Sequence, residues 1–294
     1  MARPATAGPA VPEGDTVWLA AQRLDAALGR EVLQRSDFRV PALAEVDLSG
    51  RQVLEVVPRG KHLLTRVEGG LTLHTHFRMD GSWHLYRHGA RRSGGPDWQV
   101  RAVLETSQWQ AVGYRLPVVE LLPTEREADA VGHLGPDVLG PDWDAGEAVR
   151  RLRADPAREV GLALLDQRNL AGLGNLYRTE VLFLQGLTPW VPVADVPDLP
   201  ALVERGRRLM AANRGRWEQT TTGSLRNGEM HWVFERAGRP CRRCGTRVAS
   251  AEQGRAPYAR LSYWCPHCQR GPAPPPATPP PRADRPLGRT RYQP

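Results

Sequence analysis

The chain has 294 residues, of which 40% are hydrophobic and 24% are charged. This composition excludes a globally disordered chain, and the length predicts roughly two domains. The absence of any run of about 18 uncharged apolar residues excludes a transmembrane helix, and the first residues lack the apolar core of a secretory signal. Since four cysteines are too few for a disulfide scaffold in a chain of this length, we expect a cytoplasmic protein.

The net charge of +8 is unevenly distributed along the chain. Residues 201–294 carry a net charge of +12, whereas residues 1–200 carry −4. The basic C-terminal third predicts a surface that binds a polyanion, with solvated surface arginines as the alternative. Of the 40 basic residues only Lys61 is a lysine. Such a residue is either retained by chance or needed because an ammonium, unlike a guanidinium, can lose its proton.

The predicted secondary structure begins after an extension, residues 1–11, that is rich in Ala and Pro and has no periodicity. A helix capped by Asp15 and Thr16 follows, and Gly29 ends it, because apolar residues recur at helical spacing between these points. From residue 31 to about residue 122 the pattern changes to short alternating or β-branched runs, which are typical of a β-sandwich or barrel. Strands are predicted at residues 52–57, 62–67, 71–76 and 118–122.

The second half of the chain is predicted to be helical. The Gly- and Pro-containing stretch at residues 123–144 is typical of an interdomain linker. The proline-dense segment after residue 270 contains scattered arginines and is expected to be extended, disordered and cationic. Between these two stretches, helical spacing returns at residues 145–153, 157–166, 175–185 and 201–214.

All the cysteines lie in two Cys-x-x-Cys pairs, Cys241/Cys244 and Cys265/Cys268, separated by 20 residues. Two such pairs close a tetrahedral four-thiolate zinc site, and because no coordination position stays open, the zinc ion is expected to be structural. Two redox-active Cys-x-x-Cys motifs are the alternative. Arg260 falls near the end of the hairpin loop of this zinc ribbon, where it either reaches a nucleic acid or is a solvated loop charge.

A glycine turn separates two predicted helices within the segment LLDQRNLAGLGNLYRTE, residues 164–180. Backbone N–H groups at the start of the second helix predict a phosphate site, to which the side-chain amide of Asn175 could add a donor. The alternative is a helical hairpin in which the glycines only allow close packing.

A third candidate site combines Pro12 and Glu13 with the Pro-Arg-Gly-Lys turn that ends at Lys61. An N-terminal Pro12 would be a nucleophile, because free α-amines have pKa values near ~8, against ~10.4 for lysine. Attack on a sugar anomeric carbon gives an iminium that has no N–H to lose and therefore drives elimination from the sugar. Glu13 could carry protons to the sugar or to the departing base. Without a free terminus, Pro12 is only a proline that precedes a helix.

Together these motifs resemble the Fpg/Nei family of DNA glycosylases, which includes formamidopyrimidine-DNA glycosylase (Fpg) and endonuclease VIII (Nei). In family order they are PEGDTV, RGKHLL, LLDQ…AGLGNLYRTE and RPCRRCG…ARLSYWCPHCQ. The resemblance implies an α+β multidomain fold, in which an N-terminal β-sandwich with a flanking helix is followed by a helix–two-turn–helix domain and a C-terminal zinc-ribbon finger. The expected boundaries are 12–128 for the catalytic sandwich, 129–228 for the helical domain, 229–270 for the finger and 271–294 for a disordered tail.

The resemblance also implies roles for single residues of this chain. Pro12 matches the nucleophile that forms a Schiff base with deoxyribose, and Glu13 matches the proton donor. Lys61 matches a hairpin lysine that contacts phosphate near the lesion and assists catalysis. Further DNA contacts are implied for Met79, which lies near the position that fills the void left by the flipped nucleotide, for Asn175 and for Arg260.

The sequence departs from the family in three places. Family members begin with the catalytic proline, whereas eleven residues precede Pro12 here. Because an acylated proline nitrogen cannot attack, we expect translation to start at Val11, through a GTG codon, and the initiator to be removed. The Arg-Arg-Phe segment of Fpg is not found between residues 101 and 122, and Gly14 is typical of Nei, so oxidised pyrimidines are favoured over 8-oxoguanine. Thr16 replaces a glutamate that is usual in both groups.

We therefore predict a monomeric, zinc-containing bifunctional DNA glycosylase/AP lyase of base-excision repair. It would excise oxidised pyrimidines from damaged double-stranded DNA through a proline Schiff base and β,δ-elimination, at the nucleoid of a bacterial cytoplasm. One alternative is an 8-oxoguanine/formamidopyrimidine glycosylase of the same family. The other is a non-catalytic zinc-ribbon DNA-binding protein, which would leave Glu13 and Lys61 without a purpose. The partner of the tail, if there is one, is unknown.

Overall fold

The computed structural model describes residues 12–256 and 259–274, so the predictions for residues 1–11 and for the tail beyond residue 274 lie outside the described residues. Within these ranges the chain forms a β-sandwich, a helical region and a two-stranded finger, which confirms the α+β multidomain fold. None of the helices in the described ranges combines the length and the apolar character that a membrane span needs.

The N-terminal region is a β-sandwich with one long helix, α1 (Gly14–Leu28), against it. Its strands form two antiparallel four-stranded sheets, with the orders β1-β6-β7-β5 and β2-β3-β4-β8. Leu24 and Leu28 of α1 share one apolar core with Leu63 and Leu73 of the second sheet, so the face that the spacing predicted to be apolar is the buried face. The strands are β1 (Arg35–Phe38), β2 (Val53–Arg59), β3 (His62–Val67), β4 (Leu71–His76), β5 (Ser82–Arg87), β6 (Val100–Glu105), β7 (Trp109–Tyr114) and β8 (Val118–Pro123).

The helical region follows the sandwich and has its own apolar core. Its helices are α2 (Glu127–Val131), α3 (Ala145–Arg153), α4 (Val160–Leu165), α5 (Asn175–Gln185) and α6 (Leu199–Asn213). Helix α5 is buried along most of its length, and Leu176 and Val181 pack into this core. Helix α6 begins earlier than predicted, because the Asp198 carboxylate accepts a hydrogen bond from the Ala201 amide at 2.9 Å and so caps it.

The finger contains an antiparallel hairpin of β9 (Ala249–Gln253) and β10 (Arg260–Trp264), as the zinc-ribbon pattern predicts. It is attached to the helical region through Phe183 of α5, which shares an apolar cluster with Val233, Cys241 and Cys265. The indole of Trp264 meets that of Trp190 edge to face, with ring centroids 4.8 Å apart.

One local prediction is wrong. Asp15 and Thr16 do not cap α1: the helix begins at Gly14, and the Asp15 side chain is 1% exposed inside its first turn. The stretch 123–144, predicted to be an interdomain linker, joins the sandwich to the helical region but is packed, because Leu134 and Val131 lie against Leu64 of the sandwich. The glycines and prolines that suggested a linker make tight turns in a packed segment instead.

Candidate active site

Three segments meet where α1 begins: the start of α1 itself, the β2–β3 hairpin and the turn before α5. The Gly14 amide donates to the Gly172 carbonyl at 2.9 Å. A Cβ added at Gly14 would lie 3.0 Å from the Gly172 Cα, and one added at Gly60 would lie 2.9 Å from the Ala171 Cβ. Side chains at these glycines would separate the segments, so the glycines allow the close approach on which the site depends.

Asp137 fixes the hairpin in this position. Its carboxylate, 3% exposed, accepts from the Gly60 amide at 2.6 Å and from the Leu139 amide at 3.0 Å. Gly60 has a φ of +59°, a conformation that glycine adopts without strain. The turn that carries Lys61 is therefore held by a residue from the segment that was predicted to be a linker.

Glu13 occupies the N-terminus of α5. Its carboxylate is fully buried and accepts from the Gly174 amide and from the Leu176 amide, each at 2.7 Å. Both amides belong to the first turn of the helix, where N–H groups lack helical partners and the helix dipole favours an anion. The prediction of a phosphate at these amides is therefore wrong in one respect, because the anion bound there is the side chain of Glu13.

Lys61 lies beside this carboxylate. A Cβ added at Gly174 would lie 2.6 Å from the Glu13 Oε1 and 2.6 Å from the Lys61 Nζ, so both groups line the space next to that glycine. Burial raises the pKa of Glu13 to about 7, against the lowering effect of the Lys61 ammonium, and the Asp15 carboxylate raises it further. Burial lowers the pKa of Lys61, against the opposing effect of Glu13. Glu13 can therefore exchange a proton with a substrate near neutral pH, with the Lys61 side chain beside it.

Pro12 is half-buried and immediately precedes Glu13 in the chain. The structure thus brings Glu13 and Lys61 together, and Pro12 lies two residues before the first residue of α1, Gly14. These were the three residues that the sequence proposed as catalytic, and their chemical roles stay predictions.

Asn175 links α5 to the finger. Its Nδ2 donates to the Leu261 carbonyl at 3.0 Å, and its Oδ1 accepts from Arg178 Nη2 at 2.6 Å. Arg260 precedes Leu261 on β10, is exposed, and its positive charge contributes to lowering the pKa of Lys61. The structure therefore brings Asn175 and Arg260 to the side of the site formed by the finger.

Arg178 was missed by the sequence analysis. Its guanidinium is fully buried and donates to Ser262 Oγ at 2.7 Å, to the Gln253 side chain and to Asn175. These acceptors are all uncharged, and burial lowers the pKa of Arg178 to about 9, against the opposing charge of Glu13. The signal that could have revealed it was an arginine in the predicted helix 175–185, many of whose other positions are apolar.

Met79 lies on the turn that follows β4 and is 67% exposed, as a side chain free to contact a ligand would be. The preceding residue, Arg78, has a φ of +46°, and the His76 Nδ1 accepts from its amide at 2.8 Å. Arg115 donates to the Asp80 carbonyl at 3.1 Å from the other side of the turn. The turn is thus braced at both ends, and its Met79 side chain is presented to solvent.

The four cysteines of the finger form one cluster. Their Sγ atoms lie within 4.8 Å of one another, with Cys241 and Cys268 3.9 Å apart and Cys244 and Cys265 3.5 Å apart. Thiolates bound tetrahedrally at ~2.3 Å from zinc are about 3.8 Å from each other, so the cluster has the dimensions of such a site. The residues could therefore hold a metal ion.

Comparisons with known proteins agree with this architecture. Residues 11–115 match the family model of the formamidopyrimidine-DNA glycosylase N-terminal domain, and residues 134–198 match that of its H2TH domain. A crystal structure of the Lactococcus lactis Fpg in complex with DNA containing an abasic site has a TM-score of 0.74 and 20% sequence identity, over 88% of this chain and 100% of that one. The fold is therefore that of the DNA glycosylases with a helix–two-turn–helix domain.

Sequence identity to two curated relatives identifies the family more closely than the fold does. The chain is 57% identical over 289 residues to the probable endonuclease 8 2 of Streptomyces coelicolor, which covers 97% of this chain and 99% of the relative. It is 46% identical over 259 residues to the DNA-(apurinic or apyrimidinic site) lyase Nei2 of Mycolicibacterium smegmatis, which covers 88% of this chain and 99% of that protein. The chain belongs to the Fpg/Nei family of DNA glycosylases.

Proposed function

We propose that the protein is a bifunctional DNA glycosylase/AP lyase of base-excision repair that excises oxidised pyrimidines from double-stranded DNA. The observation that carries the proposal is the buried Glu13 carboxylate beside Lys61, directly after Pro12 in the chain. A buried carboxyl group whose pKa is raised to about 7 beside a lysine can donate a proton near neutral pH, which suits acid–base catalysis. The relatives named endonuclease 8 and AP lyase support the same activity.

In this mechanism the Pro12 nitrogen attacks C1′ of the damaged nucleotide. The N-glycosidic bond breaks, and the base leaves with the bonding electron pair and takes up a proton. After the nitrogen loses its own proton, its lone pair expels the ring oxygen O4′, which takes a proton from Glu13, and an iminium forms. Removal of the C2′ proton expels the 3′-phosphate, and a second elimination expels the 5′-phosphate. Water then hydrolyses the iminium and frees Pro12.

This chemistry requires that Pro12 carry a free imino nitrogen. We propose that the active form begins at Pro12, through initiation at Val11 and removal of the initiator residue. Pro12 would then combine a low amine pKa with an iminium that cannot lose an N–H proton. Lys61, half-buried and with a lowered pKa, would contact the phosphate nearest to the deoxyribose.

The other residues of the site would hold the bent DNA. Asn175 and Arg260 would contact the backbone on the side of the finger, and Met79 would fill the space left by the flipped nucleotide. Zinc, held by Cys241, Cys244, Cys265 and Cys268, would fix the finger and would take no part in the reaction. We propose that the protein acts as a monomer on chromosomal DNA, in the cytoplasm of a bacterium.

Borohydride trapping on a duplex with one abasic site tests the proposal. We expect a covalent adduct with protein that begins at Pro12, a severe loss of the adduct with Pro12→Gly, and no loss with Pro41→Gly, an exposed proline of the same region. Equal trapping by a chain that keeps residues 1–11 would refute the role of Pro12. Binding without cleavage would identify a DNA-binding protein without catalysis. A panel with thymine glycol and 8-oxoguanine separates the two substrate classes.

A further inference from the structure

One buried carboxyl group beside the site has no role in the proposed reaction. Asp15 lies in the first turn of α1, two residues after Glu13, and is 1% exposed. Its Oδ2 accepts from the Tyr177 hydroxyl at 2.5 Å, and its Oδ1 accepts from the Gln219 Nε2 at 3.0 Å. A buried carboxylate without such donors would be costly, so these two hydrogen bonds fix the Asp15 side chain in one orientation.

The two donors come from different parts of the helical region. Tyr177 lies on the first turn of α5, two residues after Asn175, and Gln219 follows α6 in the chain. The segment after Gln219 is fixed in turn, since the Thr220 amide donates to the Asn213 Oδ1 at 2.9 Å. Asp15 therefore ties the start of α1 both to the helix whose first amides bind Glu13 and to the end of α6.

The charge of Asp15 acts on Glu13. Burial raises the pKa of Asp15, and the Tyr177 and Gln219 hydrogen bonds oppose this. Both Asp15 oxygens accept hydrogen bonds from these donors, as an ionised carboxylate does, and because the donors are uncharged the negative charge of Asp15 is not cancelled where it lies. On Glu13 the charges act from several elements: the Lys61 ammonium of the hairpin favours loss of the proton, and the Asp15 carboxylate favours its retention.

Two further cations face this region. Arg178 of α5 interacts electrostatically with Glu13, and Arg260 of the finger interacts with Lys61. Without Asp15, Glu13 would therefore face the cations of the hairpin and of α5, and none of the other described groups that act on its pKa is an anion. Such surroundings favour an ionised glutamate, which cannot donate a proton.

We propose that Asp15 is a positioning residue of this site: its buried carboxylate holds the start of α1 against α5 and keeps the proton on Glu13 against the attraction of Lys61. The proposal rests on the proposed function, in which Glu13 donates its proton to the opening sugar. According to the proposal, Asp15 determines the pH range in which the enzyme excises bases.

The test is the pH profile of single-turnover base excision by protein that begins at Pro12. The reaction needs Glu13 protonated and the Pro12 nitrogen unprotonated. With a pKa of about 7 for Glu13 and one near ~8 for a free α-amine, the rate rises with pH up to the pKa of Glu13, then stays level, and falls only above the pKa of Pro12. The acidic limb of the profile therefore reports the pKa of Glu13. Asp15→Asn preserves shape and removes the charge, so we expect this acidic limb to move to lower pH by roughly one unit, with a correspondingly lower plateau. Asp25→Asn is the matched control, since Asp25 lies on the same helix and accepts from the Val56 amide at 2.8 Å, away from the site. We expect it to leave the limb in place.

Tyr177→Phe provides a second variant in case Asp15→Asn folds poorly. It leaves the Asp15 side chain intact but removes one donor, so Asp15 takes up a proton more readily and the limb moves in the same direction by a smaller amount. A rate reduced equally at all pH values, with the limb unmoved in both variants, would show a merely structural role and overturn the inference. The absence of any covalent trapping by the unmodified enzyme would instead refute the proposed function.

Discussion

Gly174→Ala is the sharpest test of how the site is assembled. Gly174 has a φ of −128° and a ψ of −159°, values that alanine adopts readily, so the substitution adds a methyl group without backbone strain. That methyl carbon would lie 2.6 Å from both the Glu13 Oε1 and the Lys61 Nζ. The substitution therefore displaces the Glu13 and Lys61 side chains and leaves the backbone conformation of the turn unchanged.

The size of the effect follows from these distances. Ordinary contacts begin at 3.4 Å, so the side chains must retreat by about 1 Å. Glu13 has no free path, because it is fully buried and is held by the amides of Gly174 and Leu176. Overpacking of this kind costs about 1–3 kcal/mol of stability, and a displacement of about 1 Å at reacting groups lowers the rate about 100-fold.

Single-turnover excision and thermal unfolding together separate the two effects. We expect Gly174→Ala to stay folded at 25 °C and to lose about two orders of magnitude in rate. Gly146→Ala is the control, since Gly146 is an exposed residue of α3 whose added Cβ meets only the Asp144 Oδ1, at 3.3 Å. It should keep full activity and gain slightly in stability. A Gly174→Ala enzyme as fast as the unmodified one would contradict the proximity of Glu13 and Lys61 on which the mechanism depends.

Three other outcomes are expected. Arg260→Ala should lower the slope of log Kd against log salt by about 1 on an abasic duplex, while the uncharged Asn175→Ala should weaken binding without changing that slope. Because the pKa of Glu13 is about 7 in the folded chain and 4.5 without its surroundings, the native state retains a proton between these values. The free energy of unfolding should therefore fall as pH rises through this window by on the order of 3 kcal/mol relative to Glu13→Gln, as urea titrations at several pH values would show. Chelation, or Cys244→Ser, should release zinc as measured by metal analysis and abolish DNA binding, with the sandwich still folded.

The sequence predicted those parts of the fold that local spacing determines. Helix α5 and the strands β3 and β4 lie where periodicity placed them, because their residues pack against one core with a regular repeat. The finger was equally predictable, since two Cys-x-x-Cys pairs at this spacing leave few geometries. The packing of segment 123–144 could not be predicted, because glycine and proline mark both loose linkers and tight packed turns, and only tertiary contacts distinguish them.

Single residues of the site were harder to place. Lys61 was found because it is the only lysine of the chain and Glu13 because it follows Pro12, and a known family pattern marks both. Asp15 was instead taken for a helix cap, because aspartate is common at that position. Its burial depends on Tyr177 and Gln219, which lie about 160 and 200 residues further along the chain. Polar partners at such separations have no local signature, so sequence alone could not show that this carboxylate faces inward.

The hydrogen bonds of Asn175 show how the finger and the site are coupled. Arginine only donates hydrogen bonds, so the atom that faces Arg178 must be the Oδ1 of Asn175, and the amide orientation is fixed. One N–H of Nδ2 is used by the Leu261 carbonyl, which leaves the second N–H for a phosphate oxygen. A phosphate bound there would lie beside the residue that follows Arg260. The buried Arg178 thus orients the second Nδ2 N–H of Asn175 toward a phosphate. Arg178 itself is held in place by the β9–β10 hairpin, which accepts its other hydrogen bonds.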